Sequence, residues 1–113
     1  MKQDIQSLIE LTRAIALKNK DEQEITNPLD RRYFDEYYRR YIAKCDIALA
    51  DYKQRGRAAY EHELNVEIDQ LIDRRAKILD KSDINSVLER AKLNAEIAFL
   101  SEYRYMIECQ PKQ

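Results

Sequence analysis

An all-α fold of long helices is what this sequence predicts, on three observations. Glycine occurs once and proline twice in 113 residues, with 36% charged and 44% hydrophobic residues. That is the composition of long helices rather than of strands and tight turns. Apolar residues recur at steps of three and four along most of the chain, the spacing of one helix face. The third observation is Asn27–Pro28: Asn can accept a hydrogen bond from a free N–H of the first helical turn, and Pro at the first helical position has no N–H to leave unpaired.

The first helix is expected from about Lys2 to about Lys18. Ile5, Leu8, Ile9, Thr12, Ile15 and Ala16 share its apolar face. Residues 19–26, NKDEQEIT, are polar and aperiodic and read as a connection. A second helix starts at Asn27–Pro28, with Asp30 near the positive end of its dipole. It meets no convincing stop before about Asp80.

Gly56 is the one candidate for an interruption. No Ser, Thr, Asp or Asn follows at residues 57–60 to start a new helix, and a glycine inside a helix costs only about 1 kcal/mol relative to Ala. These points favour one continuous helix, three in all. Against them, Phe34, Tyr38, Tyr41, Cys45, Ala48 and Tyr52 form one stripe, and Leu64, Ile68, Leu71, Arg75 and Ile78 form another. At ~100° per residue the second is rotated by roughly 140° from the first. A turn at Gly56, giving four helices, is the alternative.

The last helix begins in KSDINSVLE, where Ser86 and Glu89 have capping-box spacing and Ser82 or Asp83 could cap one turn earlier. It carries two stripes. One is Ile84, Leu88, Ala91, Ala95, Ala98 and Phe99; the other is Leu93, Ile97, Leu100 and Ile107. Two stripes require cover on two sides. A three-helix monomer of this size rarely supplies both, so self-association is expected, with a homodimer the simplest form. The expected architecture is thus an antiparallel helical bundle or coiled coil, one domain over residues 1–113, and oligomeric.

The segment RRYFDEYYRRY, residues 31–41, holds four arginines, four tyrosines and a phenylalanine. On a helix, Arg31 reaches Asp35, Arg32 reaches Glu36, Asp35 reaches Arg39 and Glu36 reaches Arg40, each four residues on. Each such pair contributes only ~0.2–0.5 kcal/mol, but each arginine has a local acid. The main reading is therefore a salt-bridged helix with an aromatic core face. The functional readings are a flat anionic ligand held by arginine forks and stacked tyrosines, or a protein-binding surface, since Tyr and Arg dominate such sites. The candidate binding face is Tyr37, Arg39, Arg40 and Tyr41, with Lys53, Arg55 and Arg57 as the tightest remaining positive cluster. Residues 31–57 hold eight basic and four acidic residues, and residues 58–73 hold five acids and no Lys or Arg. A hairpin at Gly56, or two antiparallel chains, would lay one segment along the other.

Several functions are disfavoured. A net charge of −1 gives no general attraction to nucleic acid or to a membrane surface. One glycine cannot build a phosphate-binding loop. His62 is the only histidine, so HExxH and Glu-x-x-His metal patterns are absent. No nucleophile turn surrounds Ser7, Ser82, Ser86, Ser101, Cys45 or Cys109. Catalytic residues, metal ligands and a cofactor are accordingly not expected. The N-terminus lacks the order of a secretion signal, and two distant cysteines read as reduced thiols in a cytoplasmic protein. The expected function is that of a small non-enzymatic protein acting through protein–protein contacts: an adaptor, assembly factor or inhibitor. Proteins of this composition are common among phage and mobile-element accessory proteins. A binder of nucleotides or other phosphorylated small molecules in an inter-helix or inter-subunit groove is the first alternative, and a nucleic-acid binder the second.

Overall fold

Capping residues and one left-handed glycine divide residues 4–110, the part described by a computed structural model, into four helices. They are α1 (Ile5–Glu22), α2 (Pro28–Arg55), α3 (Glu61–Ala76) and α4 (Ile84–Glu108). The Asp4 carboxylate accepts from Ser7 N–H at 2.7 Å to start α1. The Asn27 side chain accepts from the N–H groups of Leu29 and Asp30, at 3.0 and 3.2 Å, to start α2. Asp83 starts α4, accepting from the N–H and the hydroxyl of Ser86. The start is thus the earlier of the two positions considered, one turn before a Ser86–Glu89 box. The Arg90 guanidinium then donates to the carbonyls of Ile78 and Lys81 and ties the α3–α4 turn to α4.

Two boundaries differ from expectation. α1 continues one turn further, through Asn19–Glu22; its start at Lys2 lies outside the described residues. The continuous helix through Gly56 is not formed. Gly56 has φ 70° and ψ 16°, and its N–H donates to the Tyr52 carbonyl at 2.8 Å. This is a left-handed C-terminal residue, cheap only for glycine. No start signal for α3 was visible because none exists in side-chain form: Tyr60 makes no capping bond. Glu61 and Glu63 in the first turn favour that end through the helix dipole instead. The rotation of the apolar stripe was the signal that decided the fold.

Side-chain contacts fix the topology. Arg13–Asp46 and Gln23–Asp35 make α1 antiparallel to α2. Arg75–Asn94 and Arg104–Asn65 make α3 antiparallel to α4. Tyr33–Asn94, Arg40–Glu96 and Tyr41–Phe99 make α2 parallel to α4. The two hairpins are therefore built alike. Each gives its second helix to a central α2·α4 pair and leaves its first helix on a flank. The backbones of α2 and α3 do not approach each other, and α1 touches α4 only lightly. The result is a flattened bundle of 48 × 31 × 22 Å, its thinnest dimension about two helix diameters of ~10–12 Å.

The core lies along the central pair. Ile9, Cys45, Leu93 and Phe99 are fully buried, and Leu64, Ile68 and Leu71 of α3 close one side. Leu93, Ala95, Phe99, Leu100 and Tyr103 of α4 are all buried within the single chain. Because Gly56 turns the chain back, α2 and α3 cover different sides of α4. The two stripes of α4 therefore no longer argue for a second copy.

Candidate functional site

The flattened bundle has a cleft on each side of its central pair. The α2/α3 cleft is floored by Phe99, Leu100 and Tyr103 of α4. Long side chains span it: Lys44–Glu67 at 2.9 Å and Arg55–Glu63 at 2.9 Å. Arg40–Glu96 joins α2 to α4 nearby at 3.4 Å. The basic stretch of α2 thus meets the acidic stretch of α3, as the charge segregation implied. His62 lies at the outer side of this cleft, beside Glu63, Glu67, Gln70 and Arg74.

The opposite groove, of about 350 Å³, is lined by Thr12, Ile15 and Asn19 of α1, Tyr37, Tyr38 and Tyr41 of α2, and Glu102 of α4. The aromatic rings meet at defined angles. Tyr37 and Tyr38 are perpendicular with centroids 5.4 Å apart. Tyr37 and Tyr41 are near-parallel at 6.3 Å. Tyr41 in turn meets the core ring Phe99 edge-on at 5.6 Å. Burial above all raises the Tyr37 and Tyr41 hydroxyl pKa values, with smaller contributions from neighbouring Tyr38 and Tyr33 for Tyr37 and from Cys45 and Glu102 for Tyr41. Both phenols are therefore neutral near pH 7.

The candidate face divides between these surfaces. Tyr37 and Tyr41 line the α1-side groove. Arg40 points the other way, to Glu96. Arg39 is 68% exposed and meets only Glu36, three residues back, at 3.3 Å. The i,i+4 ladder expected across residues 31–40 is not formed, since Asp35 accepts from Gln23 at 2.6 Å instead. Arg55 is held by Asp51 and Glu63, and Arg57 stacks on the Tyr60 ring at 3.8 Å while donating to Ala58 O. Lys53 is exposed on α2. The arginines and tyrosines of residues 31–41 therefore serve different surfaces. Sequence reasoning did not reach Glu102, Thr12 or Asn19 as groove residues. Glu102 meets the tyrosines through the parallel α2·α4 pair, and Thr12 and Asn19 meet them through the α1/α2 hairpin; neither pairing has a local signature.

Among the described residues, no group of three His, Cys, Asp or Glu is placed to hold a metal ion, and no helix is long and apolar enough to cross a membrane. Cys45 is buried, and burial first, then Asp46, pushes its thiol up to about 12. Such a thiol is a packing group rather than a nucleophile. Cys109 is exposed near the end of α4. Comparison with protein-family models, with curated proteins and with solved structures returns no match.

Proposed function

We propose that this chain is a non-enzymatic binding protein that works through protein–protein contacts, as an adaptor, assembly factor or inhibitor of the kind found among phage and mobile-element accessory proteins. One observation carries the reading: apolar side chains stand in solvent around the α1-side groove. Ile15, on its rim, is 52% exposed, and Leu11, one turn back on the same face of α1, is 50% exposed. Tyr105, three residues beyond Glu102 on α4, is 62% exposed. Exposed apolar and tyrosine side chains at a groove and within a turn of its lining residues are the raw material of an interface centre.

The alternative, a binder of nucleotides or other phosphorylated small molecules, has weaker support. It needs Arg or Lys beside the tyrosines, and no basic residue lines their groove. Nucleic-acid binding draws no support from the Lys53, Arg55 and Arg57 cluster, two of whose members are engaged within the protein.

The test is capture from a lysate of the source cells by wild-type chain and by Ile15→Asp. Mass spectrometry would read both proteins and co-purified small molecules. A stoichiometric protein held by the wild type and lost from the variant is expected. A co-purified nucleotide without a protein, or no stoichiometric partner, would overturn the reading.

A further inference from the structure

The two clefts differ in how their carboxylates are matched. In and beside the α2/α3 cleft, Glu67 has Lys44, Glu63 has Arg55 and Glu96 has Arg40. In the α1-side groove Glu102 has no ion-pair partner among the described residues, and no Lys or Arg lines the groove. What it has instead is tyrosine. Tyr37 and Tyr38 stand at 90° to each other, and Tyr41 lies nearly parallel to Tyr37. Three tyrosines and one carboxylate lining the same groove are residue types that can accept an organic cation: ring faces carry negative potential, and the carboxylate supplies the counter-charge. The chain already uses this contact once, with the Arg57 guanidinium 3.8 Å over the Tyr60 ring. A volume of about 350 Å³ has room for the end of one side chain and lies near the lower end of the ~300–1,000 Å³ usual for small-molecule sites.

We infer that the groove formed by Tyr37, Tyr38, Tyr41 and Glu102 receives a lysine or arginine side chain of the protein partner. Ile15 and Thr12 on the α1 side meet the aliphatic stem, and Glu102 meets the charged end. This inference rests on the binding-protein reading and names the chemistry its partner brings.

The test uses the intact chain in an NMR titration with N-acetyl-lysinamide, N-acetyl-argininamide, tetramethylammonium and the neutral N-acetyl-norleucinamide. At least one of the two amino-acid cations should give saturable shifts centred on Tyr37, Tyr38, Tyr41 and Glu102. The norleucine probe should bind about tenfold more weakly, the scale of one good cation–ring contact. Glu102→Gln, a change at an exposed position, should weaken the cations and leave norleucinamide unchanged. Tyr38→Leu, with its fold checked by circular dichroism, should weaken them as well. Equal binding of norleucinamide would overturn the inference. So would shifts centred elsewhere, indifference to Glu102→Gln, or binding of tetramethylammonium alone. The two proposals fail separately. A silent titration overturns the cation site and leaves partner capture through Ile15 standing, whereas a saturable lysinamide site with no captured protein overturns the partner reading and, with it, the assignment of the cation to a protein.

Discussion

The α1-side groove and the α2/α3 cleft occupy corresponding places in two hairpins built alike, yet they are finished in opposite ways. The α2/α3 cleft is closed by the protein's own charges, with Lys44 and Arg55 reaching across to Glu67 and Glu63. The α1-side groove is left with three tyrosines and one carboxylate. The difference follows from sequence. The face of α2 toward α3 carries Lys44 and Arg55, whereas its face at the α1-side groove carries Tyr37, Tyr38 and Tyr41. The cleft's charged residues are matched across it, whereas the groove's one charged residue, Glu102, has no ion-pair partner among the described residues. A protein that binds through a surface needs such an asymmetry, because groups already matched inside the chain have little to offer a partner.

The largest expected effect falls where the two sides share a residue. Phe99 is fully buried, meets Tyr41 toward the groove and Tyr103 toward the cleft, and helps floor the cleft. Phe99→Ala should cost about 3–5 kcal/mol. Urea unfolding would read it as a lowered midpoint with loss of structure on both sides together. A loss confined to one hairpin would show that the hairpins are not coupled through α4.

Next comes Gly56, which makes the second cleft possible at all. No atom lies within 4 Å of a Cβ placed there, so Gly56→Ala meets no clash. The penalty is that of the left-handed backbone alone, about 1–2 kcal/mol. Thermal unfolding should show a lower melting temperature. A higher one would mean that the chain prefers a continuous helix, and the α2/α3 cleft would not exist.

Gly56 also marks the limit of what could be read from residues alone. The absence of a cap after it and the small cost of a mid-helix glycine both pointed to continuity. The 140° rotation of the apolar stripe pointed to a turn, and tertiary packing decided for it: only a turn lets Leu64, Ile68 and Leu71 bury themselves while Cys45 and Ala48 stay buried. Local signals with a local mechanism were legible, as at Asn27–Pro28. The arginine ladder expected over residues 31–40 does not form, for the converse reason. Pairs worth a few tenths of a kcal/mol yield readily to partners brought near by packing, as Gln23 is brought to Asp35 and Glu96 to Arg40. Tyr37 and Tyr41 could be nominated from their clustering. Glu102, more than sixty residues away, could not.

The smallest expected effect is the most direct test of the asymmetry. If the α2/α3 cleft differs from the groove because it supplies its own cation, removing that cation should make the two more alike. Lys44 is the residue to change: its side chain is 12% exposed, against 45% for its partner Glu67. Lys44→Met keeps the apolar stem packed, since most of what lysine buries is its methylene chain. Glu67, being partly in solvent, is rehydrated rather than stranded. The stability cost should therefore be no more than about 1 kcal/mol, readable as a small shift in the urea midpoint. The change in binding should be clearer. N-acetyl-lysinamide should gain a second, weaker set of shifts around Glu67 and Glu63, while the shifts at Tyr37, Tyr38 and Tyr41 stay as in the wild type. The new site should be weaker because the ring faces of Phe99 and Tyr103 are buried beneath it and cannot close around a cation. Loss of the original shifts would show that the groove depends on the cleft across the molecule. Absence of any second set would show that an unpaired carboxylate is not enough, and that the tyrosine walls distinguish the groove.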